Sequence, residues 1–543
     1  MKFPLKRAHR RAVAALAAFS ICAASFVAGD LLPGASAFAA GDKERQRAER
    51  ASREGEFELA EKLYREMLAK NARDLQARLG LSYALLKQRK NQEAFDAAAR
   101  VISVEPTSPR AHALLGAALL GSGDFRLSVE EFRTALSFKE DEAMAIAGLA
   151  MVDFYENRLA QSLSGLRRAA FIDQNEPDYH FNLGQVAARF ERYAEAADSY
   201  ERFLRIAPRT DAERRARIRG LIDFLRYLGT QRSLLRATGA SNAKIPFEIL
   251  NNRPIVEVRI NDSKEPLRFV IDTGAGMCVI SLEASERLGL RPVARGGMAR
   301  AVGGGGRFEI IYGFLRSLQM ADARIENVPV YIRQFYNKHE PIDGYIGLSV
   351  ISKYLATVDY AGRSMTLLRE DARERAVEAT LAQPVGIEVP IRTTSSGFWS
   401  GEVQLDGVTK PLNFIMDTGA TISVVSKALL ERELEALEPL KQTTLLTVYG
   451  AAGVTDGVPV LMLPRIQVGP RVHPRVSAAV LDMDSLNETS GFEQTGIVGG
   501  NVLRHYRVTF DFQRAVVRLE PYAAAQPAEE MRPSVPPIVT SQP

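Results

Sequence analysis

Two stretches of this 543-residue chain, FVIDTGAGMCVIS from Phe269 and FIMDTGATISVVS from Phe414, set Asp272 and Asp417 in one context. Three apolar residues precede each aspartate, and Thr-Gly-Ala follows it (Thr273, Gly274, Ala275; Thr418, Gly419, Ala420). Hydrolysis of a peptide bond by water needs a base to activate the nucleophile and an acid to protonate the carbonyl and the leaving amine. Two adjacent carboxylates sharing one proton can do both, because like charges a few ångströms apart cannot both ionise cheaply. Each copy holds one carboxylate and is therefore half a site. Threonine supplies a hydrogen-bond donor and glycine a tight backbone turn. Ala275 and Ala420 have no hydroxyl to stabilise the charged carboxylate, which predicts activity reaching less acidic pH.

The rest of the chain offers little competing chemistry. His112, His180, His339, His473 and His505 show no metal-ligand spacing, and no HExxH, phosphate-loop or Gly-x-Ser-x-Gly pattern occurs. No metal and no organic cofactor is expected. Cys278 alternates with apolar residues, which reads as a buried strand position, and Trp399 is expected to pack near the start of the second copy.

The elements that must position the aspartates also occur twice. PIVEVRINDSKEPLRFVIDTGAGMCVIS and SGEVQLDGVTKPLNFIMDTGATISVVS both read as strand, turn, strand, loop, strand. Downstream, IDGYIGLSVISKYLATVDYAGRSMTLL matches TGIVGGNVLRHYRVTFDFQRAVVRLE, each with an apolar-apolar-Gly turn, a short helix and two strands. The repeat is a whole mainly-β domain, spanning 246–370 and 385–522 with a polar connector between. These loops resemble the active-site loops of retropepsin-type aspartic proteases, and Ile346-Gly347 and Val498-Gly499 resemble the element that braces the loop in that family.

The resemblance implies two retropepsin-like domains packed as an intrachain pseudo-dimer, with Asp272 and Asp417 as the catalytic pair of an aspartic endopeptidase acting on a protein or peptide substrate. A monomer built this way is favoured, although two whole chains pairing Asp272 with Asp272 would satisfy the same spacing. It also implies a hairpin flap over each half, for which the Gly303-Gly304-Gly305-Gly306 run and Tyr449-Gly450 are the candidates.

The first half is different. Gly55, Arg89, Gly123, Asn157 and Glu191 recur at a spacing of 34, and the small residues Ala60, Ala94, Ser128, Ser162 and Ala196 follow in phase. Residues 46–231 thus resemble tetratricopeptide repeats, an all-α solenoid ending in a capping helix, and the resemblance implies a groove for a protein partner or substrate. Asn157 and Ser162 depart from the usual glycine and alanine, which makes the fourth repeat the weakest match.

The N-terminus reads as a secretory signal over 1–39, with a basic start, an Ala-rich apolar run and small residues from Ala35 to Ala39. An exported, periplasmic or extracellular protein is expected, the alternative being membrane anchorage by this segment left uncleaved. The formal charge of +5 comes largely from Lys2, Lys6, Arg7, Arg10 and Arg11, so no basic stripe for nucleic acid remains. Residues 523–543 read as a disordered Pro/Ala-rich tail. A rival functional class is a peptide-binding scaffold that has kept a protease fold without its activity.

Overall fold

The computed structural model describes residues 33–300, 307–372, 386–433, 440–450 and 452–522. Its first part is a helical array: α1 (Pro33–Glu54), α2 (Phe57–Lys70), α3 (Leu75–Lys87), α4 (Asn91–Ile102), α5 (Pro109–Gly121), α6 (Phe125–Phe138), α7 (Ala143–Tyr155), α8 (Leu159–Ile172), α9 (Pro177–Arg189), α10 (Tyr193–Ile206) and α11 (Ala212–Thr230). The sequence period marks the turn within each helix pair. Gly55, Arg89, Gly123, Asn157 and Glu191 all have left-handed backbones, with φ between 59° and 80°. Two of the five are glycine; at the other three, stacking of the helices holds a conformation that costs a side-chain-bearing residue about 1–2 kcal/mol. The small residues in phase, Ala60, Ala94, Ser128, Ser162 and Ala196, are fully buried where paired helices cross. Helix α1 begins at Pro33, ahead of the expected edge of the array at 46, because the Ala-rich segment continues the helix. Most of the expected signal, residues 1–32, and the tail 523–543 lie outside the described residues.

The second part is β, and its internal order repeats. In the first domain β9 (Ala323–Arg333), β6 (Cys278–Ser281), β10 (Gly344–Ile346), β5 (Leu267–Ile271) and β4 (Arg253–Ile260) lie side by side. In the second, β19 (Arg471–Leu481), β16 (Ser423–Ser426), β20 (Gly496–Val498), β15 (Leu412–Met416) and β14 (Trp399–Leu405) lie in the corresponding order. The strands that carry the aspartates are buried along most of their length, as strands covered on both faces must be.

The two copies are joined by a sheet that neither could build alone. It runs β13 (Ile387–Thr393), β22 (Val516–Pro521), β21 (Tyr506–Asp511), β11 (Leu355–Asp359), β12 (Ser364–Leu368), β2 (Asn242–Pro246). At its centre β11 meets β21 antiparallel, with Thr357 opposite Thr509 and their hydroxyl oxygens 2.9 Å apart. The pairing of equivalent strands places a local twofold at this point, which is the intrachain pseudo-dimer. The composition shift near 240 put the first β domain at 246, yet β1 (Arg236–Gly239) already pairs with β9 and β2 ends at Pro246.

The helical array is packed against both β domains. Phe492 of the second domain enters the array core, its ring edge-on to Phe125 at 4.9 Å and to Tyr155 at 5.1 Å. Asn157 donates its side-chain amide to the Phe512 carbonyl at 3.0 Å. A residue that weakened the fourth repeat as a sequence match is thus one of those that tie the array down. On the other side Phe224 of α11 stacks on Tyr312 of β8 (Arg307–Met320) at 4.3 Å, and its full burial contributes about 2 kcal/mol.

Candidate active site

Each aspartate follows the last residue of a buried strand, Ile271 or Met416, and three parallel pairs hold that strand against its brace. The Asp272 N–H donates to the Ile346 carbonyl at 3.0 Å, and the Asp417 N–H to the Val498 carbonyl at 3.0 Å. Beyond the turn, Leu348 donates to the Ala275 carbonyl at 2.7 Å and Gly500 to the Ala420 carbonyl at 2.8 Å. The brace predicted at Ile346-Gly347 and Val498-Gly499 therefore grips both ends of each loop.

The structure brings Asp272 and Asp417 together. A methyl group added at Gly274 would lie 2.3 Å from an Asp417 carboxylate oxygen, and one added at Gly419 would lie 2.6 Å from the Asp272 carboxyl carbon. This corrects the reason for the glycines: neither has a positive φ, and each is small because the opposite carboxylate occupies the space of a side chain. Both carboxylates accept their own loop's amide, Gly274 N–H to Asp272 at 2.8 Å and Gly419 N–H to Asp417 at 2.7 Å.

The threonines do more than support their own loops. Thr273 donates its hydroxyl across the domain boundary to the Met416 carbonyl at 2.7 Å, and Thr418 donates to the Ile271 carbonyl at 2.7 Å. Each hydroxyl also accepts the other threonine's N–H, at 3.2 and 3.0 Å. Four reciprocal bonds between two fully buried hydroxyls and the backbone of the opposite loop fix the loops relative to each other.

Burial pushes both carboxyl pKa values up. For Asp272 the rise is large, and the neighbouring Asp417 charge adds to it. Asp417 rises less, because the Gly419, Ala420 and Gly274 amides and a hydrogen bond from Asp272 stabilise its charged form. The pair therefore keeps a proton that an exposed aspartate would lose. Burial is the largest cause of the rise at both aspartates.

Sequence reading placed Cys278 in a buried strand, and it opens β6 fully buried, but the part that it and several other residues play in supporting the loops was missed. Cys278 is a free, buried thiol whose sulfur accepts the Gly347 N–H at 3.3 Å; in the other copy the Ser423 hydroxyl accepts the Gly499 N–H at 3.1 Å. Ser349 and Asn501 back them, contacting the Cys278 and Ser423 side chains. Their signal was the equivalent position in the two copies, which differing residue types concealed. Among the histidines, His112 is buried against Glu131 and the Pro106 carbonyl, and His473 meets the Tyr506 hydroxyl. Trp399 is fully buried at the start of β14, as its position in the sequence suggested.

Of the flap candidates, Gly303–Gly306 lie outside the described residues, but the strands on either side, β7 (Ala294–Arg300) and β8, pair as a hairpin down to Arg300 and Arg307. Helix α11 holds this hairpin: Gly220 packs so closely that an added methyl would lie 2.1 Å from the Arg295 carbonyl oxygen, and Arg217 donates to the Met298 carbonyl at 3.1 Å. Glu213 pairs with Arg307, the first residue of β8. In the second domain Tyr449 and Gly450 pair with Val454 and Gly453 near the end of another hairpin, with Tyr449 exposed.

Both aspartates open into a chamber of about 2930 Å³, whose far wall is the helical array. Tyr83, Lys87, Tyr179 and Arg189 of the array line the same space as Tyr449 and the two aspartate loops. The inner face of the array is itself bridged: Lys87 of α3 donates to Glu176 at 2.8 Å and to Asp178 at 2.6 Å, and the Tyr83 hydroxyl donates to Glu176 at 2.7 Å. Among the described residues no group of three or more His, Cys, Asp or Glu is placed to hold a metal ion, and no helix is long and apolar enough to cross a membrane.

Residues 256–350 and 401–502 match the family model described as aspartyl protease, and residues 45–113 and 148–209 match the tetratricopeptide repeat model. Comparison with curated proteins gives no match. Solved structures similar to this chain include a thermophilic TPR protein of Thermus thermophilus, 18% identical over 34% of this chain and 98% of that one, with a TM-score of 0.30. MamA of Desulfovibrio magneticus is 20% identical over 31% of this chain and 94% of its own, TM-score 0.23. The Pseudomonas aeruginosa pilF structure is 14% identical over 36% and 86%, TM-score 0.27.

Proposed function

We propose that this chain, a tetratricopeptide array fused to two aspartyl-protease-type domains, is an exported aspartic endopeptidase. The observation that carries the reading is the meeting of Asp272 and Asp417, one from each copy, with raised pKa values at the floor of a chamber. In the reaction Asp417, ionised, takes a proton from the attacking water, and Asp272, protonated, donates to the scissile carbonyl oxygen. The resulting tetrahedral species collapses when the leaving amine takes a proton from the pair, and no cofactor is required. The inner face of the array forms the opposite wall of the cleft and holds a segment of a protein substrate beside the dyad. Export follows from the basic, Ala-rich N-terminus and places the reaction in the periplasm or outside the cell.

The test is to make Asp272→Asn and Asp417→Asn separately and to measure cleavage of an unfolded protein such as reduced, alkylated casein. Each single change is expected to abolish turnover while the melting transition stays cooperative. Near-normal cleavage by either variant overturns the shared-dyad reading.

A further inference from the structure

Several of the chamber's charges are accounted for by each other. Glu176 and Asp178 are held by Lys87, Glu213 by Arg307, and Glu340 by Arg253 and Asn251. Arg214 lies over the Phe181 and Phe203 rings, 4.7 and 5.1 Å from their centres, and Arg333 over the Phe308 ring at 3.7 Å. Arg189 is different.

It stands at the C-terminal end of α9, half-buried, and lines the chamber together with both aspartates. No hydrogen bond or ion pair joins its guanidinium to a described residue. A side-chain carbon built at Gly397 would lie 3.8 Å from one of its terminal nitrogens, so the group faces the Ser396–Gly397 tip. That tip touches the first aspartate loop: a carbon at Gly276 would lie 2.6 Å from the Ser396 carbonyl oxygen. Arg189 thus reaches from the array to the rim of the Asp272 loop. Burial alone pulls its pKa down, with no neighbouring anion to oppose the fall. Withdrawing a guanidinium from water without a partner is costly, and a ligand carboxylate arriving in the chamber would supply the missing charge.

We propose that Arg189 is a specificity-determining residue that binds a carboxylate of the substrate, so that the enzyme selects peptides carrying an acidic group close to the bond it cuts. The proposal rests on the endopeptidase reading for its cleft and extends it to a substrate class. The carboxylate has two sources, an aspartate or glutamate side chain and the peptide's own C-terminus. In either case it joins the guanidinium through charge-assisted hydrogen bonds in a sheltered site, an interaction strong enough for discrimination of about tenfold or more. The array is then part of the substrate cleft, contributing one wall and one charged contact.

The test uses full-length protein carrying Asp272→Asn, so that binding is read without any need for cleavage. Fluorescence anisotropy measures the affinity of acetylated, amidated octapeptides with a central Phe-Leu pair, in which one Glu is moved through the flanking positions and compared with Gln at the same place. A further arm compares a free with an amidated C-terminus on the Gln peptides. The expected result is a preference of about tenfold or more for the acidic peptide at one position, or for the free C-terminus. Adding Arg189→Gln brings that ratio to about one, and Arg189→Glu reverses it in favour of a Lys peptide. Equal binding of acidic and amide peptides, or a preference that survives Arg189→Gln, overturns the proposal. Failure of the catalytic reading looks different: protein with both aspartates intact binds the peptides and leaves them uncut.

Discussion

The placement of the two carboxylates makes Gly274→Ala the most direct perturbation of the dyad. The new methyl carbon would lie 2.3 Å from an Asp417 oxygen, where ordinary contact begins at 3.4 Å, so the carboxylate must retreat by the difference, about 1.1 Å. A misplacement of about 1 Å in reacting groups costs on the order of a hundredfold in rate. Gly419→Ala requires a smaller retreat of Asp272, 3.4 − 2.6, about 0.8 Å, and a smaller loss. Overpacking also strains the loops, by about 1–3 kcal/mol. A change of charge interaction should accompany the rate loss, because separating the carboxylates weakens the part of the Asp272 shift that Asp417 supplies. The basic limb of the pH–rate profile is therefore expected to move toward lower pH. The assay is kcat/KM on a quenched fluorescent peptide across pH, with urea unfolding alongside. Gly229→Ala is the control, since its nearest neighbour, the Tyr193 β-carbon, would be 3.8 Å away. If Gly274→Ala keeps more than half of the wild-type kcat/KM with an unmoved pH profile, the close-approach reasoning is refuted.

Further outcomes follow from the same geometry. Thr273→Val leaves the Met416 carbonyl and the Thr418 N–H unmet in a buried place and is expected to lower stability in urea by about 2–5 kcal/mol, whereas Thr273→Ser keeps both bonds and most of the stability. The raised Asp272 pKa means that its proton favours the folded state: that contribution is complete below the ordinary aspartate value of 3.8 and is lost as pH rises through the folded value. Asp272→Asn should therefore melt at a higher temperature than wild type near neutral pH, with the gap closing toward pH 3; a constant gap would count against a raised pKa. The Cys278 thiol, buried and pushed up to about 11, should react with a thiol reagent no faster than the protein unfolds, which a stopped-flow absorbance trace at neutral pH checks.

Much of this protein was legible in its sequence because the information was written in duplicate. A phase of 34 marked the turn positions, and the structure gives all five a left-handed backbone, including Arg89 and Glu191, whose residue types alone would not suggest it. The repeated DTGA loops and apolar-apolar-Gly braces located the aspartates and the strands under them, because local hydrogen bonds and apolar runs leave a pattern within a dozen residues. Cys278 and Ser423 perform one task with different atoms, so identity of residue type could not link them. The early strands β1 and β2 were missed because their partners, β9 and β12, lie far along the chain.

The sequence by itself determined the parts: a helical array, two equivalent β domains, and one carboxylate loop in each. Only the tertiary structure decided how they meet. The pairing of β11 with β21 and the crossed threonines join Asp272 to Asp417 within one chain. Phe492, Asn157 and α11 turn the array into a wall of the same chamber. Contacts of this kind depend on surfaces that exist only after each element has folded, so no periodicity along the chain records them.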